Sequence, residues 1–438
     1  MSNKFEPTEP VVTGSGSTFA GLPDFPKLAI LLGCLSAVLL SGYWSTFPHD
    51  FAALYVAAQF YEQGLFDFVY QSDGNFFWNE TPEAWRNATE VIAATYGEPI
   101  YHYAPYVYPP LWAALLAPVT AFLGFGTVAK VVLCANVAAF LGMIWLGFRL
   151  LRPANVRALN WALFLVILLA TSSISHLALN LGQPQIGVCF LILLSFCCLA
   201  DNRPVQSGGW LALAAAVKLA PAMFIIIFLM ERNWRALASF TLIGGILAVL
   251  SVSVAGWPLH AAFLAKLAEL DGGTMLSRIN LGLEIELYQL WLVFTGDFSW
   301  RVEEPEFIFP PRWISWIVSL SFVVGVVATF LMSRGLSPRA RIWSRLILIS
   351  LVLLFTSPLG WIHYLILPTM LLPGVLEYSK SHRVLLLFAL LLVGYSLPLY
   401  LYFDEIWWSF IPQMMFHFLL AVLVFVGVLR MTAKMQVS

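Results

Sequence analysis

The length of its apolar runs limits what this chain can become. Between Leu28 and Leu429 apolar runs recur with few polar breaks, and many approach the ~20 residues that an α-helix needs to cross a bilayer. Membrane β-strands alternate apolar and polar residues. These runs are continuous, so the fold class is an all-α polytopic membrane protein. Composition agrees: 60% of the residues are hydrophobic and 11% charged, against ~25% charged in average soluble proteins. A soluble domain must leave a large share of its residues facing water. A soluble enzyme, a nucleic-acid binder and a disordered scaffold are therefore excluded. The net charge of -1 gives no basis for a polyanionic partner.

About twelve spans are read, at 28–47, 108–124, 127–149, 159–175, 184–200, 209–230, 236–256, 312–332, 344–360, 361–377, 383–403 and 410–430. Two of them are irregular: 108–124 carries Pro109, Pro110 and Pro118, and 209–230 carries Lys218 and Pro221. Residues 1–26 form a polar tail without the apolar core of a signal peptide. A single transmembrane domain follows over 27–432, then a short tail at 433–438. Basic residues in short loops mark the cytoplasmic side. Arg334, Arg339, Arg341 and Arg345 form one such loop, Lys380 and Arg383 another, and Glu231, Arg232 and Arg235 a compact turn. Twelve crossings place all of these and both termini in the cytoplasm, as a multi-pass protein of the cell membrane. Two large extracytoplasmic loops result, 48–107 and 257–311, each with eight acidic residues; the first has Arg86 as its one base, the second Lys266, Arg278 and Arg301. Arg149, Arg152 and Arg157 disagree, since this path puts them outside. If 108–124 and 209–230 are re-entrant instead, those arginines move inside. The five cysteines, Cys34, Cys134, Cys189, Cys197 and Cys198, all lie in apolar runs and read as packing residues.

The 48–107 loop is dense in aromatics, among them Phe51, Tyr55, Phe60, Trp85, Tyr106 and, at its edge, Tyr108. Long loops in compact proteins are usually functional or disordered, and this composition predicts a folded platform able to stack on sugar rings. Helical spacing of Phe51, Leu54, Tyr55 and Ala58, with Gly64 as a stop, predicts a helix over 50–66 lying on the membrane surface. Asp50 begins it. Asp is a common N-cap; a carboxylate at the membrane boundary is also placed for general-base work.

Five strings sharpen the reading: Asp50-Phe51-Ala52-Ala53-Leu54-Tyr55-Val56-Ala57-Ala58, Tyr108-Pro109-Pro110-Leu111, Leu181-Gly182-Gln183-Pro184, Lys218-Leu219-Ala220-Pro221 and Ser357-Pro358-Leu359-Gly360-Trp361-Ile362-His363. In this order and spacing, over about residues 28–370, the chain resembles glycosyltransferase family 87. The resemblance implies a GT-C fold and transfer of a hexose, typically mannose in that family, from a polyprenyl-phosphate donor. The acceptor would be a hydroxyl of a glycolipid or glycan on the extracytoplasmic side, and the anomeric centre would invert. It also implies that the acid at the end of the first span, Asp50, is the catalytic base. Membrane lipids are the other partners, and no nucleic acid is expected. No cofactor is required. A divalent metal is left open, because Ala52 stands where a D-x-D pattern would have its second acid.

The leaving polyprenyl phosphate needs cations or backbone donors around it. Lys218 is the leading intramembrane cation; such a residue usually faces a cavity or a partner. Arg278 is a second cation, on the outer loop. His363 follows a helix-breaking Pro358 and Gly360 and is placed to contact phosphate or acceptor, or equally to be a core histidine. Gln183, with Asn180, bonds either substrate or freed backbone groups at a helix break. Tyr55 and Tyr108 belong to the family-like strings and complete the substrate-binding set. Glu284 and Glu286 read mainly as a solvated face. No H-x-x-x-H or H-E-x-x-H pattern, P-loop or dinucleotide fingerprint occurs. The competing functions are a secondary transporter or flippase for lipid-linked sugars and a non-catalytic assembly protein. Transporters often show two similar halves, and the aromatic loop has no second copy.

Overall fold

The computed structural model describes residues 24–71, 81–97, 103–269, 271–299, 305–379, 381–405 and 410–436. Most of the polar N-terminal tail, parts of both large loops and the last two residues lie outside that set, as do Arg301 and Lys380. Among the described residues, five helices are long and apolar enough to cross a bilayer unaided: Phe25–Tyr43, Phe125–Leu151, Trp234–Ala255, Arg312–Ser333 and Phe410–Met435. Their outward faces carry apolar side chains such as Ile30, Leu242, Val249, Trp316 and Leu320, as expected where the solvent is lipid. The main core draws on Phe25–Tyr43, Phe125–Leu151, Ala158–Thr171, Gln185–Ala200, Pro338–Thr356 and Phe410–Met435. Pro338–Thr356 is buried along most of its length.

Ion pairs define one end of the molecule. Asp201 accepts from Arg149 at 2.8 Å and from Arg152 at 2.9 Å, and it also pairs with Arg339. Glu231 holds Arg341 at 2.7 Å and Arg345 at 2.8 Å. The Glu377 carboxylate accepts from the backbone N–H groups of Ala154 and Asn155, at 3.0 and 2.8 Å. The turns near 152, 201, 231, 339 and 377 therefore share this basic end.

Two expected crossings fail on this geometry. Twelve crossings would put Arg149 and Arg339 on opposite sides of the bilayer, yet both reach Asp201. The 209–230 segment leaves the basic end as the helix Pro204–Val217, opens at Lys218, and returns through Ala220–Phe224 and Ile225–Met230 to Glu231. The 108–124 segment is the helix Pro110–Phe122, 13 residues, or ~20 Å, against a hydrocarbon core of ~30 Å. Both its flanks meet the same neighbouring helix, His49–Glu62: Tyr108 lines a cavity with Asp50, and the Tyr55 hydroxyl donates to the Leu123 carbonyl at 2.9 Å. The shared Asp201 favours the re-entrant alternative for these segments, which puts Arg149, Arg152 and Arg157 with the other basic loops.

The expected surface helix is also corrected. It spans His49–Glu62, and Phe51, Ala52, Ala53, Tyr55, Val56, Ala57, Ala58 and Phe60 are all buried. Those residues cover every face, so the helix is packed inside protein rather than laid on a membrane. The loop aromatics form its surroundings: Phe125 packs against Phe47, Phe51 and Tyr55, and Trp85 against Phe60. These faces pack on one another, whereas Tyr103 and Tyr108 line the cavity described below; Phe76, Phe77, Trp78 and Tyr101 of the expected sugar-stacking platform lie outside the described residues. The second large loop contributes a short antiparallel ribbon, Thr274–Leu276 with Glu306–Ile308, and the helix Leu283–Thr295.

Candidate active site

Three helix breaks meet the start of the His49–Glu62 helix, and each break has a local cause. Between Ser173–Asn180 and Gln185–Ala200 the chain bends by 116°. Pro184 cannot continue a helix, and Gly182 has φ +65°, a conformation that glycine adopts without steric cost. A Cβ at Gly182 would come within 2.7 Å of Pro48 and 2.9 Å of Phe51. That close approach lets the Leu181 carbonyl accept from the N–H groups of Asp50 and Phe51, at 3.0 and 3.2 Å. The second break is at Lys218, which is extended (φ −151°, ψ 133°) ahead of Pro221. The third is the turn Ser357–Trp361, where Pro358 and Gly360 end the helix Pro338–Thr356.

These elements enclose a cavity of about 380 Å³ lined by Asp50, Tyr108, Gln183, Lys218, Trp361 and His363, with His49, Tyr103, Asn180 and Ser277 at its wall. Asp50 is not the N-cap: Pro48 holds that position and Asp50 lies in the first turn. Its side chain receives the Gln183 amide as a hydrogen bond. Enclosure by protein raises its pKa to about 6, while the Lys218 charge and the Gln183 bond pull it down. A carboxyl tuned into this range is a suitable base near neutral pH. The Lys218 Nζ lies 4.7 Å from the centroid of the Tyr364 ring. His363 is buried beside Trp361 and Tyr364, and neither of its ring nitrogens has a hydrogen-bond partner among the described residues.

Tyr364 also lines a second cavity of about 470 Å³, whose wall combines Ile192, Phe224, Leu353 and Leu367 with Gln185 and Ser350 and, among the described residues, carries no charge. The two cavities thus flank the contact between Lys218 and Tyr364.

Five of the seven residues expected at the site from sequence line the first cavity: Asp50, Tyr108, Gln183, Lys218 and His363. Two do not. Tyr55 is turned into the core, its hydroxyl on the Leu123 carbonyl. Arg278 donates to the Phe403 carbonyl at 3.3 Å and lies over the Phe410 ring, 5.2 Å from its centroid. Glu284 is buried rather than solvated and accepts from the Ser315 hydroxyl at 2.7 Å. Trp361 stands within a family-like string, and that membership is its one signal in the sequence. Asn180 reads there only as the companion of Gln183, and His49 carries no metal-site spacing. No group of three His, Cys, Asp or Glu side chains suited to a metal ion occurs among the described residues.

A family model described as Glycosyltransferase family 87 matches residues 106–358. The chain is 28% identical over 357 residues to a polyprenol-phosphate-mannose-dependent alpha-(1-2)-phosphatidylinositol mannoside mannosyltransferase of Mycobacterium tuberculosis, covering 76% of this chain and 78% of that protein. It is 26% identical over 285 residues to a polyprenol-phosphate-mannose-dependent alpha-(1-2)-phosphatidylinositol pentamannoside mannosyltransferase of Mycolicibacterium smegmatis, covering 64% of each.

Proposed function

The chain belongs to glycosyltransferase family 87, and from that premise we propose that it moves mannose from a polyprenyl-phosphate donor to a hydroxyl of a glycolipid or glycan. One observation carries the reading: a carboxylate and a lysine line one cavity, and that lysine touches Tyr364 on the wall of a second, whose described lining carries no charged side chain. This pairing suits a substrate with a sugar and phosphate at one end and a long hydrocarbon chain at the other.

In the proposed reaction the acceptor oxygen attacks the anomeric carbon while Asp50 takes its proton. The bond between that carbon and the phosphate oxygen breaks, and its electron pair leaves with polyprenyl phosphate. Direct displacement inverts the centre. Lys218 balances the phosphate charge, which grows as the bond breaks. The polyprenyl chain runs into the uncharged second cavity beside Tyr364. Gln183 holds the Asp50 carboxylate toward the acceptor, and His363 supplies a ring nitrogen to phosphate or acceptor. The basic end faces the cytoplasm with both termini, as positive residues favour. The cavity end then faces outward, and an acceptor would meet it there.

Purified protein in detergent or nanodiscs, given radiolabelled polyprenyl-phosphate mannose and lipid extract, should release polyprenyl phosphate and label a lipid or glycan. Absence of both products, with protein that binds the donor, would overturn the assignment as a transferase.

A further inference from the structure

Asn280 is fully buried in the second large loop and is not among the site residues read from sequence. Its amide Nδ2 donates to the carbonyls of Met275 at 2.9 Å and Pro358 at 3.1 Å. Its Oδ1 accepts from the N–H groups of Gly282 at 3.0 Å and Gly360 at 2.9 Å. Two donations and two acceptances fill an amide side chain's main hydrogen-bonding capacity. Backbone bonds continue the seam: Leu281 N–H to the Gly360 carbonyl and Ile362 N–H to the Ile279 carbonyl, each 2.7 Å. Thr274 adds a hydroxyl on the Pro358 carbonyl at 2.5 Å.

The seam has little room to adjust. A Cβ at Gly360 would fall 2.4 Å from the Leu354 carbonyl and 3.0 Å from the Gly282 nitrogen. The clamped turn leads directly into Trp361 and His363, both on the cavity wall. His363 has no hydrogen bond of its own among the described residues to fix its ring, so its place depends on the backbone that carries it.

We propose that Asn280 is a positioning residue, which ties the second large loop to the Ser357–Trp361 turn and thereby sets Trp361 and His363 against the sugar-phosphate. The proposal rests on the reading of the cavity as a transferase site. Removing the amide takes one hydrogen bond from each of four buried backbone groups, a real cost, leaves the Pro358 carbonyl only the Thr274 hydroxyl among its side-chain partners here, and frees the turn to shift. A shift of ~1 Å at a substrate-positioning group can cost ~10² in rate.

The test uses full-length protein labelled with fluorotryptophan, its Trp361 fluorine resonance assigned by loss in Trp361→Phe. Asn280→Ala and the milder Thr274→Val are compared with wild type. In folded Asn280→Ala, kcat should fall about tenfold or more, in the lower part of that range, while the acid limb of the pH profile keeps its midpoint because Asp50 is untouched. The Trp361 resonance should move or broaden while most others hold. Thr274→Val should shift the same resonance in the same direction by less, and it decides the matter where Asn280→Ala does not fold. Variants that lose thermal stability but keep kcat, KM and the Trp361 resonance would overturn the proposal. The resonance is read without turnover, so an inactive wild type would count against the transferase reading and leave the positioning of Trp361 still measurable.

Discussion

Lys218 Nζ stands 4.7 Å from the centroid of the Tyr364 ring, where the charged cavity and the uncharged one come together. A cation over an aromatic face is held by ~0.5–2 kcal/mol, more where water is excluded. The contact fixes an ammonium that helix geometry alone would not, since Lys218 is extended.

Lys218→Ala should therefore weaken binding of polyprenyl phosphate about tenfold or more, in line with a charge-assisted bond of ~1.5–3 kcal/mol. Lys218→Arg should recover part of it, because a planar guanidinium does not reproduce a compact ammonium. Isothermal titration or a fluorescent lipid-phosphate displacement assay reads both. Unchanged affinity in a folded Lys218→Ala protein would return the lysine to a structural role.

The Asp50 carboxyl sets the pH dependence. A base works deprotonated, so with a pKa of about 6 the rate should fall on the acid side, about tenfold per unit well below that value. Lys218 lowers this pKa in the wild type; Lys218→Ala should move the acid limb to higher pH. Asp50→Asn should keep its fold and donor binding and lose ~10²-fold or more in kcat. Asp50→Glu should also be poor, since displacing the base by ~1 Å costs as much. More than about a tenth of wild-type turnover in Asp50→Asn, far above that ~10²-fold loss, would remove Asp50 as the base.

Gly182 tests how the corner is built. Alanine there would sit at φ +65° and press on Pro48 and Phe51. Left-handed strain alone costs ~1–3 kcal/mol, and the crowding adds to it. A lower melting temperature and a lower kcat are expected together in Gly182→Ala, because Leu181 anchors the N–H of Asp50. Gly64, also at positive φ but with open space around it, should lower stability on replacement by Ala with kcat unchanged.

Much of the site is legible in the sequence because its breaks are written in proline and glycine. Gly182 with Pro184, Lys218 with Pro221, and Pro358 with Gly360 each end a helix where the strings indicate. What those breaks meet is not legible. Gln183 and Asp50 are 133 positions apart and become partners only through the 116° bend. Residue type and neighbouring sequence point Arg278 and Tyr55 toward the site, and packing turns both away from the cavity. Asn280 gives no signal, since a lone asparagine in a loop usually serves a local turn.

Charge counting and geometry give different paths through the membrane. Counting takes every apolar run as a crossing, and so separates Arg149 and Arg152 from Arg339. Their shared Asp201 joins them. Ion pairs at ordinary distances cannot bridge a hydrocarbon core of ~30 Å, so the geometry favours the re-entrant path. Impermeant maleimide on intact cells distinguishes the two. Arg157 and Ser337 are exposed, as is Asn87 beyond the first span. With the basic end in the cytoplasm, Asn87→Cys should label, and Arg157→Cys and Ser337→Cys should label only after permeabilisation. Labelling of Arg157→Cys but not Ser337→Cys in intact cells would restore the twelve-crossing path. Labelling of both, with Asn87→Cys protected, would keep the re-entrant path and reverse the proposed orientation, placing the cavity on the cytoplasmic side.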